Sequence, residues 1–168
     1  MEACVLRGQA LDPDPPDDPP GEELPPGDLP VRAGCFVSLK TLEGALRGCI
    51  GAVEPIASTL AEEVVRNAIH SASQDPRFLP VTPEELPGLV YSVDVLSPLE
   101  PAGDLHQLDP RRYGVIVQNP DSGRGGLLLP DIEGLDTPEQ QVALARAKAL
   151  IAAEEPVQLW RFEVRRLT

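Results

Sequence analysis

Cys35-Phe36-Val37-Ser38-Leu39-Lys40-Thr41 and Ala45-Leu46-Arg47-Gly48-Cys49-Ile50-Gly51-Ala52 are two short β-rich stretches separated by Leu42-Glu43-Gly44, a turn signal. They predict a β-hairpin. In the second arm Leu46, Gly48 and Ile50 point one way and Arg47, Cys49 and Gly51 the other, because side chains alternate along a strand. The apolar set is expected to take the core, leaving guanidinium and thiol as neighbours on one face. Cys35 is in register with Val37 and Leu39, so it is expected to point inward, away from the face that carries Cys49.

Downstream, Thr59 and Glu62 fit a capping box that opens a helix. Leu60, Val64, Val65, Ala68, Ile69 and Ala72 form its expected inward side, and Glu63, Arg66, Asn67 and His70 its polar one. The helix must stop near Asp75, because Pro76 disfavours helical geometry in the residue before it. Thr82-Pro83-Glu84-Glu85-Leu86 predicts a short helical turn. Leu89 to Leu96 alternates with period two and reads as a strand. Gly114–Gln118 and Gly125–Leu129, joined by Asn119-Pro120-Asp121-Ser122-Gly123, predict a second hairpin. Thr137-Pro138-Glu139-Gln140 opens a second helix that runs to about Ala153, with Val142, Ala145 and Ala149 inward. Val157 to Arg165 is the last strand, with Gln158, Trp160, Phe162 and Val164 on one face. Hairpin-joined strands with interspersed helices predict an α+β fold built on a mixed, largely antiparallel sheet.

Composition narrows the function classes. The chain has 168 residues, of which 42% are hydrophobic, enough for one core and one principal domain. A net charge of -13 argues against nucleic-acid binding, since phosphates are held by clustered Lys and Arg. Much of that charge lies before residue 31, where the acids between Glu2 and Asp28 face a single base, Arg7. Residues 1–30 are expected to form a proline-rich acidic arm without regular structure, and residues 31–168 the globular domain. No apolar run approaches the roughly 20 residues of a membrane span. Cys4, Cys35 and Cys49 contain no C-x-x-C pair, which predicts reduced thiols in the cytoplasm. His70 and His106 lack ligand spacing, so no metal and no cofactor are expected.

The densest chemical signal is Leu46-Arg47-Gly48-Cys49-Ile50-Gly51. A cation beside a thiol stabilises the nucleophilic thiolate, which makes Cys49 and Arg47 candidate catalytic residues. Gly48 and Gly51 would let a ligand approach the backbone. Asn67, Asp75 and Arg77 are candidate binding residues if they face the same cleft. The alternative is structural: Cys49 a small buried hydrophobe, Arg47 paired with a carboxylate, Arg77 tied to Asp75.

Together with Leu60-Ala61-Glu62-Glu63, Asn67-Ala68, Asp75-Pro76-Arg77-Phe78, Thr82-Pro83-Glu84-Glu85-Leu86, Val95-Leu96-Ser97-Pro98 and Gly126-Leu127-Leu128-Leu129-Pro130, this element resembles the AMMECR domain family over residues 31–168. Thr137-Pro138-Glu139-Gln140-Gln141 and Ala147-Lys148-Ala149 resemble its bacterial branch, AmmeMemoRadiSam system protein A. The resemblance implies two unequal subdomains, a cleft lined by the Leu46–Gly51 element, no established reaction, and Memo-like and radical SAM proteins as partners; the chain is read as an enzyme or enzyme component working in that cleft, with a non-catalytic adaptor or interaction module as the alternative. Two positions depart from the pattern. Met1–Gly8 matches only the end of a longer N-terminal helix, which would leave an apolar groove bare and a surface for homo-oligomers. Leu150 stands where relatives have glycine, so the second helix is expected to end differently.

Overall fold

A computed structural model of the protein describes residues 29–168. The expected acidic arm, apart from Leu29 and Pro30, lies outside the described residues. The chain divides into two compact units, one ending at Tyr91 and the other covering Ser92–Thr168.

In the first unit β1 (Cys35–Thr41) and β2 (Leu46–Ala52) form the predicted antiparallel hairpin, with Val37 opposite Ile50 and Ser38 opposite Cys49. Gly44 turns the chain at φ 86°, a left-handed conformation that suits glycine. Helix α1 (Leu60–Ser73) starts with the expected box: Thr59 accepts from the Glu62 N–H and the Glu62 side chain accepts from the Thr59 N–H.

The inward face of α1 corrects the sequence expectation. Leu60 is buried as predicted, but the rest of the innermost stripe is Glu63, Asn67 and Ser71. Val65 and Ile69 are 56% and 39% exposed. Backbone hydrogen bonding explains the inversion. The Glu63 carboxylate accepts from the Ile56 and Ala57 N–H groups (2.8 and 2.7 Å), and the Asn67 amide donates to the Cys35 carbonyl at 3.1 Å. The Ser71 hydroxyl spans the Val37–Ile50 rung, accepting from Ile50 N (2.8 Å) and donating to Val37 O (2.7 Å). Buried backbone groups need partners, and these three side chains supply them. The helix lies so close that a methyl group at Gly48 would collide with the Ser71 carbonyl.

In the second unit β3 (Leu89–Leu96), which begins just before it in sequence, pairs through Val93–Leu96 with Val164–Leu167 of β7 (Gln158–Leu167). A three-residue strand, β4 (Glu100–Ala102), and a single 3₁₀ turn at Leu105–Gln107 follow. Neither was expected from sequence, since Glu100-Pro101-Ala102 is too short for a visible period. The second hairpin, β5 (Tyr113–Gln118) and β6 (Gly125–Leu128), forms as predicted, and β5 also pairs along β7. The pairings within each unit are antiparallel. Helix α2 (Pro138–Lys148) lays Val142 and Ala145 onto Val115, Val117 and Leu128, the core of this unit.

Helix α2 stops five residues short of the expected Ala153. Leu150 N–H donates to Ala147 O and Ile151 N–H to Arg146 O, a Schellman stop, with Leu150 in the left-handed region at φ 55°. Burial of Ile151 secures the stop, although no glycine is present. Two helices on antiparallel strands make this an α+β protein.

Candidate functional site

The Leu46–Gly51 element sits on β2, and the segment leaving α1 closes against it. Asp75 is buried, and its carboxylate accepts from the Cys49 N–H at 2.8 Å. Arg77 donates to the Cys49 carbonyl at 3.0 Å and makes a two-pronged contact with Asp75, at 2.9 and 2.6 Å. The peptide unit of Cys49 is thus held on both sides by one acid–base pair. Burial pushes the Asp75 carboxyl up, but hydrogen bonds from Arg77 and from the Cys49 and Arg77 backbone outweigh it. The result lies below the ordinary aspartate value.

Arg47 has its own acid. Its Nε and Nη2 reach Glu85 at 2.7 and 3.1 Å, and Glu85 also accepts from the Thr82 N–H at 2.8 Å. The Arg47 hydrogen bond, then that of Thr82, hold the Glu85 carboxyl down at about 2. Both cations approach the Phe78 ring, whose centre is 5.8 Å from the Arg47 guanidinium carbon and 5.5 Å from that of Arg77. Bidentate pairing of this kind fixes direction as well as distance.

Cys49 is buried, and its sulfur accepts from the Ser38 hydroxyl at 3.3 Å. Cys35 is buried on the opposite face, as expected from alternation, where burial raises its thiol to about 11. Cys49, Asp75 and Arg77 therefore do come together, whereas Arg47 is drawn to Glu85. Asn67 does not join them: its amide donates to the Cys35 carbonyl and sulfur, on the α1 side of the hairpin. The glycines are filled by protein. A side chain at Gly48 would strike the Ser71 carbonyl, and one at Gly51 would strike Phe36, so these positions answer to packing.

Sequence reasoning missed three participants, Ser38, Ser71 and Glu85. Ser38 follows from the hairpin register, which puts it opposite Cys49. Ser71 could have been found as the third member of the Glu63, Asn67, Ser71 spacing. Among the described residues no group of three or more His, Cys, Asp or Glu could hold a metal ion, and no helix is long and apolar enough to cross a membrane.

Comparison with known proteins places this geometry in a family. A protein of Thermotoga maritima is 47% identical over 167 residues, spanning 99% of this chain and 91% of that protein. The Clostridium acetobutylicum protein CA_C1420 is 45% identical over 136 residues, 81% of this chain but 28% of the longer relative. The crystal structure of the uncharacterized protein PH0010 from Pyrococcus horikoshii superposes with a TM-score of 0.73 at 33% identity, covering 87% of this chain and 80% of that one. The AMMECR1 family model matches residues 3–167, and the chain belongs to that family.

Proposed function

We propose that the chain acts as a cytoplasmic component of the AmmeMemoRadiSam system, its protein A, and that it assembles with Memo-like and radical SAM proteins rather than turning over a substrate on Cys49. The observation that carries this reading is the commitment of the site's charges. Arg47 is occupied by Glu85, Asp75 and Arg77 by the Cys49 peptide, and the Cys49 sulfur is buried against Ser38. Turnover on a thiol needs a substrate to reach the sulfur, which the burial of Cys49 opposes. The Clostridium relative adds support, because its matched region is only part of a longer chain, as suits a module that works beside other domains.

A second reading keeps Cys49 and Arg47 as catalytic residues in a cleft around Leu46–Gly51, with Gly48, Gly51, Asn67, Asp75 and Arg77 contributing to binding. It is favoured by the convergence of an acid, a base and a hydroxyl on one cysteine. One comparison separates the two: metabolite profiles of the parent, the gene deletion and a Cys49→Ala strain. The component reading expects Cys49→Ala to match the parent while the deletion differs from it. A Cys49→Ala profile that matches the deletion, with the variant still folded, transfers the function to the thiol.

A further inference from the structure

Arg47 stands two residues from Cys49 on β2, about 7 Å between α-carbons in an extended strand, a gap that an arginine side chain can span. The cross-strand register passes from Leu39–Gly48 to Lys40–Leu46 and skips Arg47, a one-residue bulge. Bulges re-aim the side chains they carry. Here the guanidinium is turned to Glu85 and, at 3.4 Å, to the Pro80 carbonyl. It has not gone far. Its carbon is 5.8 Å from the centre of the Phe78 ring, and the same ring is approached to 5.5 Å by the guanidinium of Arg77, which bonds the Cys49 carbonyl.

Resting on the component reading above, we infer that Glu85 is an autoinhibitory lock: it holds the Arg47 guanidinium off the Cys49 sulfur, and a docked partner that draws Glu85 away lets Arg47 turn to the thiolate. Three features favour a lock over a plain brace. The pair is reachable, with side chains 16% and 36% exposed for Arg47 and Glu85 against 1% for Asp75. The other charges at Cys49 on the outgoing segment are committed, Asp75 and Arg77 to each other and to the Cys49 peptide, and from β1 the sulfur meets the neutral Ser38, with Lys40 beyond the bulge. Glu85 also follows the exposed Glu84, so two adjacent acids offer a partner's lysine or arginine a place to bind. Protonation is not the trigger, because the Glu85 carboxyl is held at about 2 and stays charged far below neutral pH.

Glu85→Gln removes the charge and keeps the turn, since a glutamine accepts from the Thr82 N–H as a glutamate does. In chain labelled with [β-¹³C]cysteine, the pH midpoint of Cys49 should fall by about 1 in Glu85→Gln, the usual effect of a cation brought to a titrating group. The fall should vanish in Glu85→Gln/Arg47→Met, and Cys35, on the opposite face of the hairpin, should not move. Glu85→Ala, which also gives up the cap, should act in the same direction and replaces Glu85→Gln if that variant does not fold. A Cys49 midpoint unchanged in the single variant overturns the inference. An equal fall in Glu85→Gln/Arg47→Met also overturns it, by tracing the change to exposure of the sulfur rather than to the cation. These measurements use the chain alone, so their failure is separate from failure of the component reading, which the strain comparison decides.

Discussion

Arg47 and Glu85 lie 38 residues apart and meet through two nitrogen–oxygen contacts, 2.7 and 3.1 Å long, that fasten the end of the Asp75–Gly88 segment to β2. Replacing Arg47 with Met keeps the aliphatic stem and removes the charge. In Arg47→Met the Glu85 carboxyl, held at about 2 in the parent, should titrate closer to the ordinary glutamate range, as read by carboxyl NMR. The sign is fixed: a carboxyl held low in the folded state adds stability above its unfolded pKa and loses it as pH falls through the folded value. The parent should therefore keep this contribution down to the neighbourhood of pH 2, and the variant should lack it throughout.

The two buried thiols should differ from a surface thiol, and Arg47 should not set the pH midpoint of either. Cys35 should react only as the fold opens, because its side chain is fully buried and burial disfavours its thiolate. Alkylation of Cys49 should be limited by opening of the fold, so in Arg47→Met its rate should rise only as far as the lost stability dictates, with the pH midpoint unmoved. An Arg47-dependent Cys49 profile would restore the activated-thiol reading.

Gly48→Ala should destabilise the protein by roughly 2–3 kcal/mol, the upper part of the range for overpacking, because the added methyl meets a backbone carbonyl that cannot rotate away. Gly126→Ala should behave alike against the Ala145 carbonyl. The check is the midpoint of urea unfolding at constant slope.

Leu150→Gly should stabilise by about 1 kcal/mol. The left-handed conformation costs a β-carbon residue about 1–2 kcal/mol, part of which is offset by the greater freedom of glycine in the unfolded chain. Leu150 is 80% exposed, so little packing is lost. A melting temperature unchanged or lowered would contradict the strained-cap account.

Local signals carried the fold far. Both capping boxes, both hairpins and the start of every long strand are legible, because turns and caps use residues whose chemistry is local. The inward face of α1 is not legible that way. Periodicity sorts Val65 and Ile69 from Asn67 by polarity, but only tertiary structure reveals that the hairpin backbone needs hydrogen bonds from Glu63, Asn67 and Ser71. The α2 stop escaped for a related reason: Leu150 contradicts its own backbone preference, and the burial of Ile151 overrides it. At the site, alternation correctly separated Cys35 from Cys49, but it could not foresee a carboxylate 38 residues away claiming Arg47.

The glycine beneath a helix carbonyl occurs twice, Gly48 under Ser71 and Gly126 under Ala145, each on the second strand of a hairpin followed by a Thr-capped helix. The second arrangement has Leu127 where the first has Cys49, and Ala149 where the first has Asp75. A helix therefore seats on such a strand without thiol, acid or guanidinium. In the first arrangement the acid and guanidinium groups are surplus to the seating, and what they fasten instead is the stretch that comes after the helix, from Asp75 to Glu85. Selection on the Leu46–Gly51 element would then act on the shape of that outgoing stretch, and a chain in which it is retailored should fold as before while losing its task.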